Sequence, residues 1–516
     1  MSPLTAGQRA VRIWAASAIV VVSLLLTLTR LPTLHADGPF YASIVRGAHY
    51  GTYGIPSALD PQTATGINHI RFYGPVYFTL VDVSFALFGL SIGAYRAISL
   101  AGVLLAAGAG VWICKVLGGG PERRAWTWVL LLLTPEAGTA SSSGRMDSLA
   151  VGLELCALAV FLNGLTRRER PWLHGTTAAA LLCAAVLTTP RTFPFMVGFA
   201  LAMLFVLPRE MRDAPVLKRQ AVITGTVAAA IMLAWTLASS GSPMRWFRLM
   251  ATVALREDTD VAVLPGAAGH RDLMFVWWQA ITLVFSVLGA IVAGILLGRD
   301  RSARGIAMRF GLVATWTTLV ATMTLFNFTF LFGIYSVIPL TALVIAVPTP
   351  LGDLRRRGAA LVAVMLFGLL VGIRAAKVAH AAITWEGRDI GRVEAFVSRN
   401  VPPGSRVLGP GYDYFLPVER AGSRYLSVPQ VSLADWARWM QVIEPRQLHP
   451  APLTADFLIW RASDPPPRAI ACPARLVDTY DPPPPTLPSL AWAVDDDPFN
   501  DYPRLHLYAL GGSCGV

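Results

Sequence analysis

The sequence predicts a polytopic α-helical membrane protein of about eleven transmembrane helices, followed by a small C-terminal α/β domain. Of its 516 residues, 54% are hydrophobic and only 14% are charged, a composition too apolar for a soluble domain. Apolar runs long enough to cross a bilayer recur along the chain. They stop near residue 385, where helix, turn and strand patterns replace them. The predicted domains are therefore a transmembrane domain, 1–384, and an extracytoplasmic domain, 385–516.

The predicted spans share a length near that of a membrane-crossing helix. They are the runs 11–29, 92–117, 125–141, 148–165, 172–188, 193–207, 219–239, 273–297, 309–329, 331–348 and 359–380. The first follows Arg9 and Arg12 without a convincing small-residue cleavage site. We therefore expect it to be a retained helix, not a removed signal peptide.

A twelfth apolar run, 74–91, is predicted to lie on the outer membrane surface as a helix. It carries Asp82 near its middle, where a carboxylate costs about 2.5 to 3.5 kcal/mol in a spanning helix. If this run does not cross, every predicted cytoplasmic loop is basic, from Arg123 and Arg124 to the cluster at 355–357. That is the distribution that the positive-inside rule requires. The N-terminus is then cytoplasmic, and the C-terminal domain lies outside with the outer first loop, 30–91, and the outer loop 240–272.

The net charge of +12 does not indicate a nucleic-acid partner. Nearly all of the excess is arginine, with only three lysines, and much of it lies in short loops between apolar runs. This pattern is typical of membrane topology.

The five cysteines predict no metal site, because they form no CxxC or Cys/His cluster. Cys114, Cys156 and Cys183 lie in apolar runs, where a thiol behaves as a small hydrophobic group. Cys472 and Cys514 are the only two on the predicted oxidising side. They either pair or stay free, since sequence does not show whether their geometry permits a disulfide.

Asp37, in the stretch "ADGPFY" after the first span, is the first candidate for chemistry. An aspartate there with Pro39 in the first turn is a common way to begin a helix. The position also lies at a membrane interface, where an anion can meet a lipid headgroup or an incoming acceptor. Both interpretations stay open from the residues alone.

Two arginines and a second aspartate are candidates in the next outward loops. Arg145 and Asp147 in "SSSGRMDSLA" are either a helix cap with an interfacial ion pair, or a phosphate ligand with a second acid. Arg191 lies in a turn between two prolines and either anchors the turn at the membrane or binds phosphate. Arg248 in the 240–272 loop is a weaker candidate, because surface loops often carry such charges.

These residues together suit one chemical task at the outer membrane face. Arginines can hold the phosphate of an anionic lipid carrier and stabilise its departure, while an aspartate takes the proton of an attacking hydroxyl or amine. The chain has no nucleotide-binding glycine motif, which fits a donor activated by a lipid phosphate.

Three stretches resemble the GT-C superfamily of polyprenyl-phosphate-sugar glycosyltransferases. "ADGPFYASIVRGAHYGTYG" is similar to its acidic first-loop motif, and "RFYGPVYFTLVDVSFALFGLSIGAYRAISLAGVLLA" to its surface helix and second span. "LLLLTPEAGTASSSGRMDSLAVGLELCALAVFL" is similar to the next pair of spans. The branch resembled includes protein O-mannosyltransferases, lipid A aminoarabinose transferases and rhizobial lipopolysaccharide-core galacturonosyltransferases. The likeness covers about residues 10–210, and the rest agrees only in layout.

The resemblance implies Asp37 as catalytic base and Asp147 as the second acid, which positions the acceptor or organises the site. Arg145 and Arg191 become candidates for the carrier phosphate. The implied substrate-binding set also contains Tyr41, His69, Tyr73 and Arg248.

Two departures from the family pattern limit this transfer of roles. Gly38 stands where members often have glutamate, and Tyr73-Gly74-Pro75 replaces the usual His-Pro-Pro. Some members need a divalent metal and others do not. The glycine favours a reaction without metal, and no other cofactor is expected.

The resemblance implies transfer of one sugar from a polyprenyl phosphate to an envelope glycan, lipid or protein acceptor, with inversion, at the outer face of a bacterial inner membrane. The partners are then the polyprenyl-phosphate sugar, membrane lipids and that acceptor. Three alternatives stay open: a multi-span transporter or flippase, a non-catalytic outer-face binding protein, and an O-antigen ligase or polymerase. The sequence does not identify the sugar or the acceptor.

Overall fold

The structure is a computed structural model of the chain. It describes residues 5–30, 37–49, 74–133, 144–211, 214–248, 302–325, 371–372, 375–376, 378–410, 412–428, 454–463, 473–484 and 502–511. These residues form a bundle of helices and, after residue 389, a mixed five-stranded sheet with two helices.

The first half of the bundle contains five helices. They are α1 (Ala6–Thr27), α2 (Asp37–His49), α3 (Pro75–Phe88), α4 (Ile92–Val116) and α5 (Pro121–Leu133). A capping box begins α1: the hydroxyl of Thr5 accepts from the Gln8 amide at 3.3 Å, and the Gln8 side chain accepts from the Thr5 amide at 2.9 Å. This pair satisfies two of the amides that a helix start leaves unbonded.

The second half contains α6 (Asp147–Arg167), α7 (Pro171–Val186), α8 (Phe193–Met211), α9 (Pro215–Ser240) and α10 (Ala303–Leu325), with a 3₁₀ turn at Pro190–Thr192. Among the described residues, five helical segments are long and apolar enough to span a membrane: α1, α4, α6, Pro190–Leu207 and α9. Of the predicted spans, 273–297 and 331–348 lie outside the described residues, and 359–380 is described only at 371–372, 375–376 and 378–380. The total of eleven spans therefore stays a prediction.

Helix α3 corresponds to the run predicted to lie on the membrane surface. Its 14 residues measure about 21 Å, less than the roughly 30 Å of a bilayer core. Leu87 and Phe88 at its end are 70% and 71% exposed, as expected for an apolar helix in contact with lipid. The amide of Val76 donates to the Leu187 carbonyl at 3.3 Å, which fixes the start of α3 against the end of α7. A side chain at Gly74 would lie 2.2 Å from that carbonyl oxygen, so this close approach requires glycine.

Helices α4 and α6 pack closely through two glycines. A methyl group at Gly102 would lie 2.3 Å from the Leu149 amide nitrogen, and one at Gly152 would lie 2.8 Å from the Gly102 carbonyl oxygen. Small residues at such crossings let helix backbones approach in a membrane. Three of the cysteines are free thiols in this bundle, at positions 114, 156 and 183 of α4, α6 and α7, as predicted.

The C-terminal part contains α11 (Ile390–Asn400), β1 (Arg406–Pro410), α12 (Phe415–Arg420), β2 (Arg424–Val428), β3 (Phe457–Arg461), β4 (Ala474–Tyr480) and β5 (Leu505–Leu510). The strand order is β2-β1-β3-β5-β4. Strands β2, β1 and β3 are parallel, whereas β5 is antiparallel to both β3 and β4. Helix α11 and strands β1, β3 and β5 lie after residue 385, where the sequence predicts helix, turn and strand patterns. The limits 1–384 and 385–516 for two domains stay predictions.

The sheet unit packs on one end of the bundle, which we call the sheet end: the starts of α2, α3, α4 and α6. Arg30, just after α1, forms an ion pair with Asp389 at 2.9 Å, and the rings of Phe40 and Tyr412 are 5.0 Å apart. The other end, where α4 and α6 finish and α5, α7, α9 and α10 begin, is called the opposite end. The sheet unit therefore covers the sheet end of the bundle and identifies it.

A buried carboxylate also joins α2 to the sheet unit. Arg46 of α2 lies 3.7 Å from Glu419 of α12, which also accepts from the Tyr425 amide at 3.1 Å. Burial raises the pKa of Glu419, and its hydrogen-bond donors oppose that effect.

Cys472 and Cys514 lie outside the described residues. The described residues that flank them are bonded to each other, because the amide of Gly511 donates to the Pro473 carbonyl at 3.1 Å. The disulfide itself stays a prediction.

Candidate active site

Three helices hold the loop that precedes α6 at the sheet end. The Tyr77 hydroxyl donates to the Gly144 carbonyl at 2.6 Å, and the Ser99 hydroxyl donates to the Arg145 carbonyl at 2.8 Å. In return, the Ser148 hydroxyl donates to the Ser99 carbonyl at 2.8 Å. These bonds fix α3, α4 and α6 in one arrangement, because each buried hydroxyl has a defined partner.

The loop turns at Gly144, where only glycine fits. Its φ is +70°, and a side chain would lie 2.0 Å from the Tyr95 ring. Both facts exclude larger residues. The turn places Arg145 and Asp147 directly at the start of α6.

Asp147 is the first residue of α6 and only 1% exposed. Arg145 Nε donates to its Oδ2 at 2.8 Å, and the positive end of the helix dipole also favours a carboxylate here. The ion pair that the sequence suggested is therefore present. The other oxygen, Oδ1, is buried and accepts no hydrogen bond from any residue that the structure describes. Since buried oxygens are nearly always bonded, Oδ1 is available to a ligand.

Arg96 is a buried cation at this end that the sequence analysis did not single out. It is 0% exposed, and its Nη1 donates to the Leu28 carbonyl at 2.9 Å, where α1 ends. Its guanidinium lies 5.8 Å from the centre of the Tyr95 ring. A buried charge needs compensation by hydrogen bonds or opposite charge. In the sequence, an arginine near the start of the apolar run 92–117 is the feature that could have indicated this buried cation.

Tyr41 connects the start of α2 to this loop. Its ring is 4% exposed and lies 5.8 Å from the ring of Tyr77, the residue that binds Gly144. Tyr41 is therefore a packing residue beside the loop, and its predicted contact with substrate stays a prediction.

Asp37 is the first residue of α2, with Pro39 in the first turn as expected. Its side chain lies outside the part of the chain whose side chains are described. Its backbone is one helical turn from Tyr41, so the Tyr41–Tyr77 contact brings the start of α2 to the loop that carries Asp147. The two predicted acids therefore begin α2 and α6 at the same end of the bundle.

Two of the other predicted residues lie at the sheet end, but the structure does not bring them to Asp147. Arg191 is partly exposed in the turn Pro190–Thr192. Arg248 is exposed, two residues after Trp246, whose ring packs 6.4 Å from that of Phe193. Within the described residues, neither arginine forms a hydrogen bond or ion pair with Asp147.

His69 and Tyr73 lie outside the described residues, so their predicted roles stay predictions. The same holds for the expectation of a metal-independent reaction. The described residues contain no group of three His, Cys, Asp or Glu that could hold a metal ion, but the Asp37 side chain and residues 50–73 are not among them.

Comparisons with known proteins identify the fold. No family model matches the chain, and no curated protein matches its sequence. ArnT from Cupriavidus metallidurans bound to undecaprenyl phosphate aligns with a TM-score of 0.59 at 14% identity, over 96% of this chain and 98% of ArnT. ArnT in the apo state gives 0.57 at 14% identity, over 97% of each chain.

A third similar structure is the oligosaccharyltransferase of Archaeoglobus fulgidus in complex with Zn and sulfate. It aligns with a TM-score of 0.52 at 14% identity, over 87% of this chain and 68% of the enzyme. ArnT and oligosaccharyltransferase are both GT-C glycosyltransferases. The predicted GT-C fold is therefore confirmed, and these membrane-protein neighbours and the five apolar helices indicate a membrane location.

Proposed function

We propose that this membrane protein of GT-C fold is a glycosyltransferase. It moves one sugar from a polyprenyl-phosphate donor to an envelope acceptor at the membrane face of the sheet end, with Asp37 as the base. The observation that carries the proposal is the sheet-end loop: Asp147 with an open buried oxygen and Arg145 bonded to it, held beside the start of α2. The GT-C fold supports the class of reaction.

The hypothesised reaction is a single displacement at the anomeric carbon. Asp37 takes the proton of the acceptor hydroxyl or amine while that group attacks the carbon. The bond from the carbon to the phosphate oxygen breaks, and its electron pair leaves with the lipid phosphate. Arg145 and Arg191 stabilise the charge on this departing group. One displacement inverts the configuration.

Asp147 is suited to a positioning role. One of its oxygens is bonded to Arg145 and the other is open, so the residue can orient the arginine and accept a hydrogen bond from substrate at once. We expect it to align the acceptor with the sugar, a kind of alignment whose loss can cost about 100-fold in rate.

A polyprenyl phosphate is the proposed carrier because the similar ArnT structure contains undecaprenyl phosphate. The proposed location is a bacterial inner membrane with the sheet unit outside. The opposite end carries Arg12, Arg124, Arg167 and Arg219, which is the distribution expected for a cytoplasmic face. The acceptor class is an envelope glycan, lipid or protein.

Mass spectrometry of lipids and envelope glycans tests the proposal. Cells without the protein should accumulate a polyprenyl-phosphate sugar and lose one glycan mass. Wild type should restore both, whereas Asp37→Asn should not. Asp82→Asn is the matched control, since it removes an acid from α3 at the same end. Full restoration by an Asp37→Asn protein that inserts normally would exclude Asp37 as the base.

One observation favours transport as a second candidate function. Glu154 lies in the spanning helix α6, is 6% exposed, and has no hydrogen bond or ion pair with any described residue. Ionisable groups inside membrane helices often mark transport paths. A deletion that changes no glycan and accumulates no lipid-linked sugar would favour this candidate.

A further inference from the structure

A cavity at the opposite end of the bundle is lined by positive charge. It has a volume of about 610 Å³ and lies between the last turns of α4 and α6 and the start of α10. Its polar walls are formed by Lys115, Asn163, Thr166, Arg167, Ser302 and Arg304. No carboxylate is among the described residues that line it. The cavity therefore offers three cations to whatever enters it.

The three cations have no anionic partner in the described part of the chain. Lys115, Arg167 and Arg304 form no ion pair with a described residue. Lys115 and Arg167 lie in the last turns of their helices, where the helix dipole favours a positive charge. The helix dipole therefore explains the positions of Lys115 and Arg167.

The helix dipole does not explain the position of Arg304. It is the second residue of α10, and a helix start disfavours a cation. It also shares a cavity with two other cations. An anion between these groups removes the repulsion, and the positive end of the helix dipole also favours it.

The guanidinium of Arg304 lies close to the turn after α4. That turn passes through Gly118 with a φ of +88°, and a methyl group there would lie 3.0 Å from Arg304 Nη1. The hydroxyl of Ser302 accepts from the Gly305 amide at 3.1 Å and so caps α10. The cap fixes the start of α10, and the exposed side chain of Arg304 lies at the cavity beside the turn.

We propose that this cavity binds the phosphate of an anionic phospholipid headgroup. Basic cavities between spanning helices suit such headgroups, and guanidinium groups bind phosphate through paired donors. Trp112, in the wall of the cavity, is 38% exposed near the end of α4, a typical place for an aromatic residue at a membrane surface. The proposal does not depend on the reaction at the sheet end.

Thermal unfolding of the delipidated full-length protein in detergent tests the proposal. Phosphatidylglycerol is compared with phosphatidylcholine and with inorganic phosphate at equal concentrations. We expect a saturable rise in the midpoint with phosphatidylglycerol alone. The variant Lys115→Gln/Arg167→Gln/Arg304→Gln should weaken its apparent affinity about 10-fold or more, because charge-assisted bonds are lost.

Lys115, Arg167 and Arg304 are themselves exposed. The matched control therefore removes the same charges from three other exposed positions at the same end, outside the cavity lining: Arg12→Gln/Lys218→Gln/Arg219→Gln. It should keep the wild-type response. Equal weakening in both variants would show diffuse attraction to the surface and overturn the site. A response to inorganic phosphate that lipid does not increase would overturn the lipid assignment.

If the triple variant does not fold, the single variants Arg304→Gln and Arg219→Gln replace the pair. Only Arg304→Gln should weaken binding of phosphatidylglycerol. An unchanged response in Arg304→Gln would overturn the proposal, because this cation is the one that its helix position does not explain.

Discussion

The two ends of helix α6 handle charge in opposite ways. At its start, Asp147 is 1% exposed and bonded to Arg145 at 2.8 Å. At its end, about 30 Å away, Arg167 lines a cavity with two other cations and no described anionic partner. The loop before the first charge is bonded to neighbouring helices, whereas the second charge is exposed at the cavity.

This difference in how the charges are held indicates which function each end of α6 suits. Groups fixed by buried hydrogen bonds hold one geometry, which a chemical step requires. Groups around an open cavity can adapt to a flexible headgroup. The same helix therefore joins a candidate site for chemistry to a candidate site for lipid, and substitutions at its two ends should have separate consequences.

The largest expected effect is on sugar transfer by Asp147→Asn. The amide keeps the shape of the side chain but loses the charge that orients Arg145, so we expect transfer to fall about 100-fold. The rate is measured in membranes with the native lipid donor. Arg167→Gln serves as the control at the other end of the helix and should transfer normally. Full activity of a folded Asp147→Asn protein would remove Asp147 from the site.

The next effect is the loss of stability in Arg96→Leu. Leucine leaves the buried carbonyl of Leu28 without the donor at 2.9 Å, which costs about 1 to 3 kcal/mol. The thermal midpoint in detergent should therefore fall. Arg12→Leu, an exposed position at the opposite end, should leave it nearly unchanged. Equal midpoints for the two variants would contradict the structural role of Arg96.

Sequence alone predicts much of this bundle, because its main signals are local. Apolar length defines α1, α4, α6 and α9, and a central acid with a short apolar run distinguishes α3. The ion pair between Arg145 and Asp147 is also predictable from the sequence, since the two residues are two positions apart at the start of a helix. Strands β1, β3 and β5 follow from short apolar segments between turn residues.

The rest depends on contacts between distant segments. Arg96 binds a carbonyl 68 residues away, and Tyr77 binds one 67 residues away, so no local pattern shows either bond. The cavity at the opposite end joins α4, α6 and α10, and in the sequence its two arginines indicate only membrane topology. The distribution of charged residues along the sequence predicts which side of the membrane a loop lies on. It does not predict which of these residues line one cavity.

A smaller effect is expected midway between the ends, at Glu154. An ionised carboxyl without a partner is costly in such surroundings, and glutamine keeps its shape without the charge. Glu154→Gln should therefore be as stable as the wild type, or more stable by about 1 kcal/mol, and should transfer sugar normally. Thermal unfolding and the transfer assay measure both. Loss of transfer without loss of stability would assign Glu154 to the mechanism.

The smallest effect is expected at the exposed ion pair between Arg9 and Glu122 of the opposite end. Their atoms are 3.0 Å apart, yet the side chains are 46% and 32% exposed. Water and salt screen such a pair, and ordering two long side chains offsets its attraction. Arg9→Gln should therefore keep the thermal midpoint within error at low and high salt. A clear fall at low salt only would show that surface pairs also hold the opposite end together, and the contrast with the buried charges of the sheet end would then be one of degree.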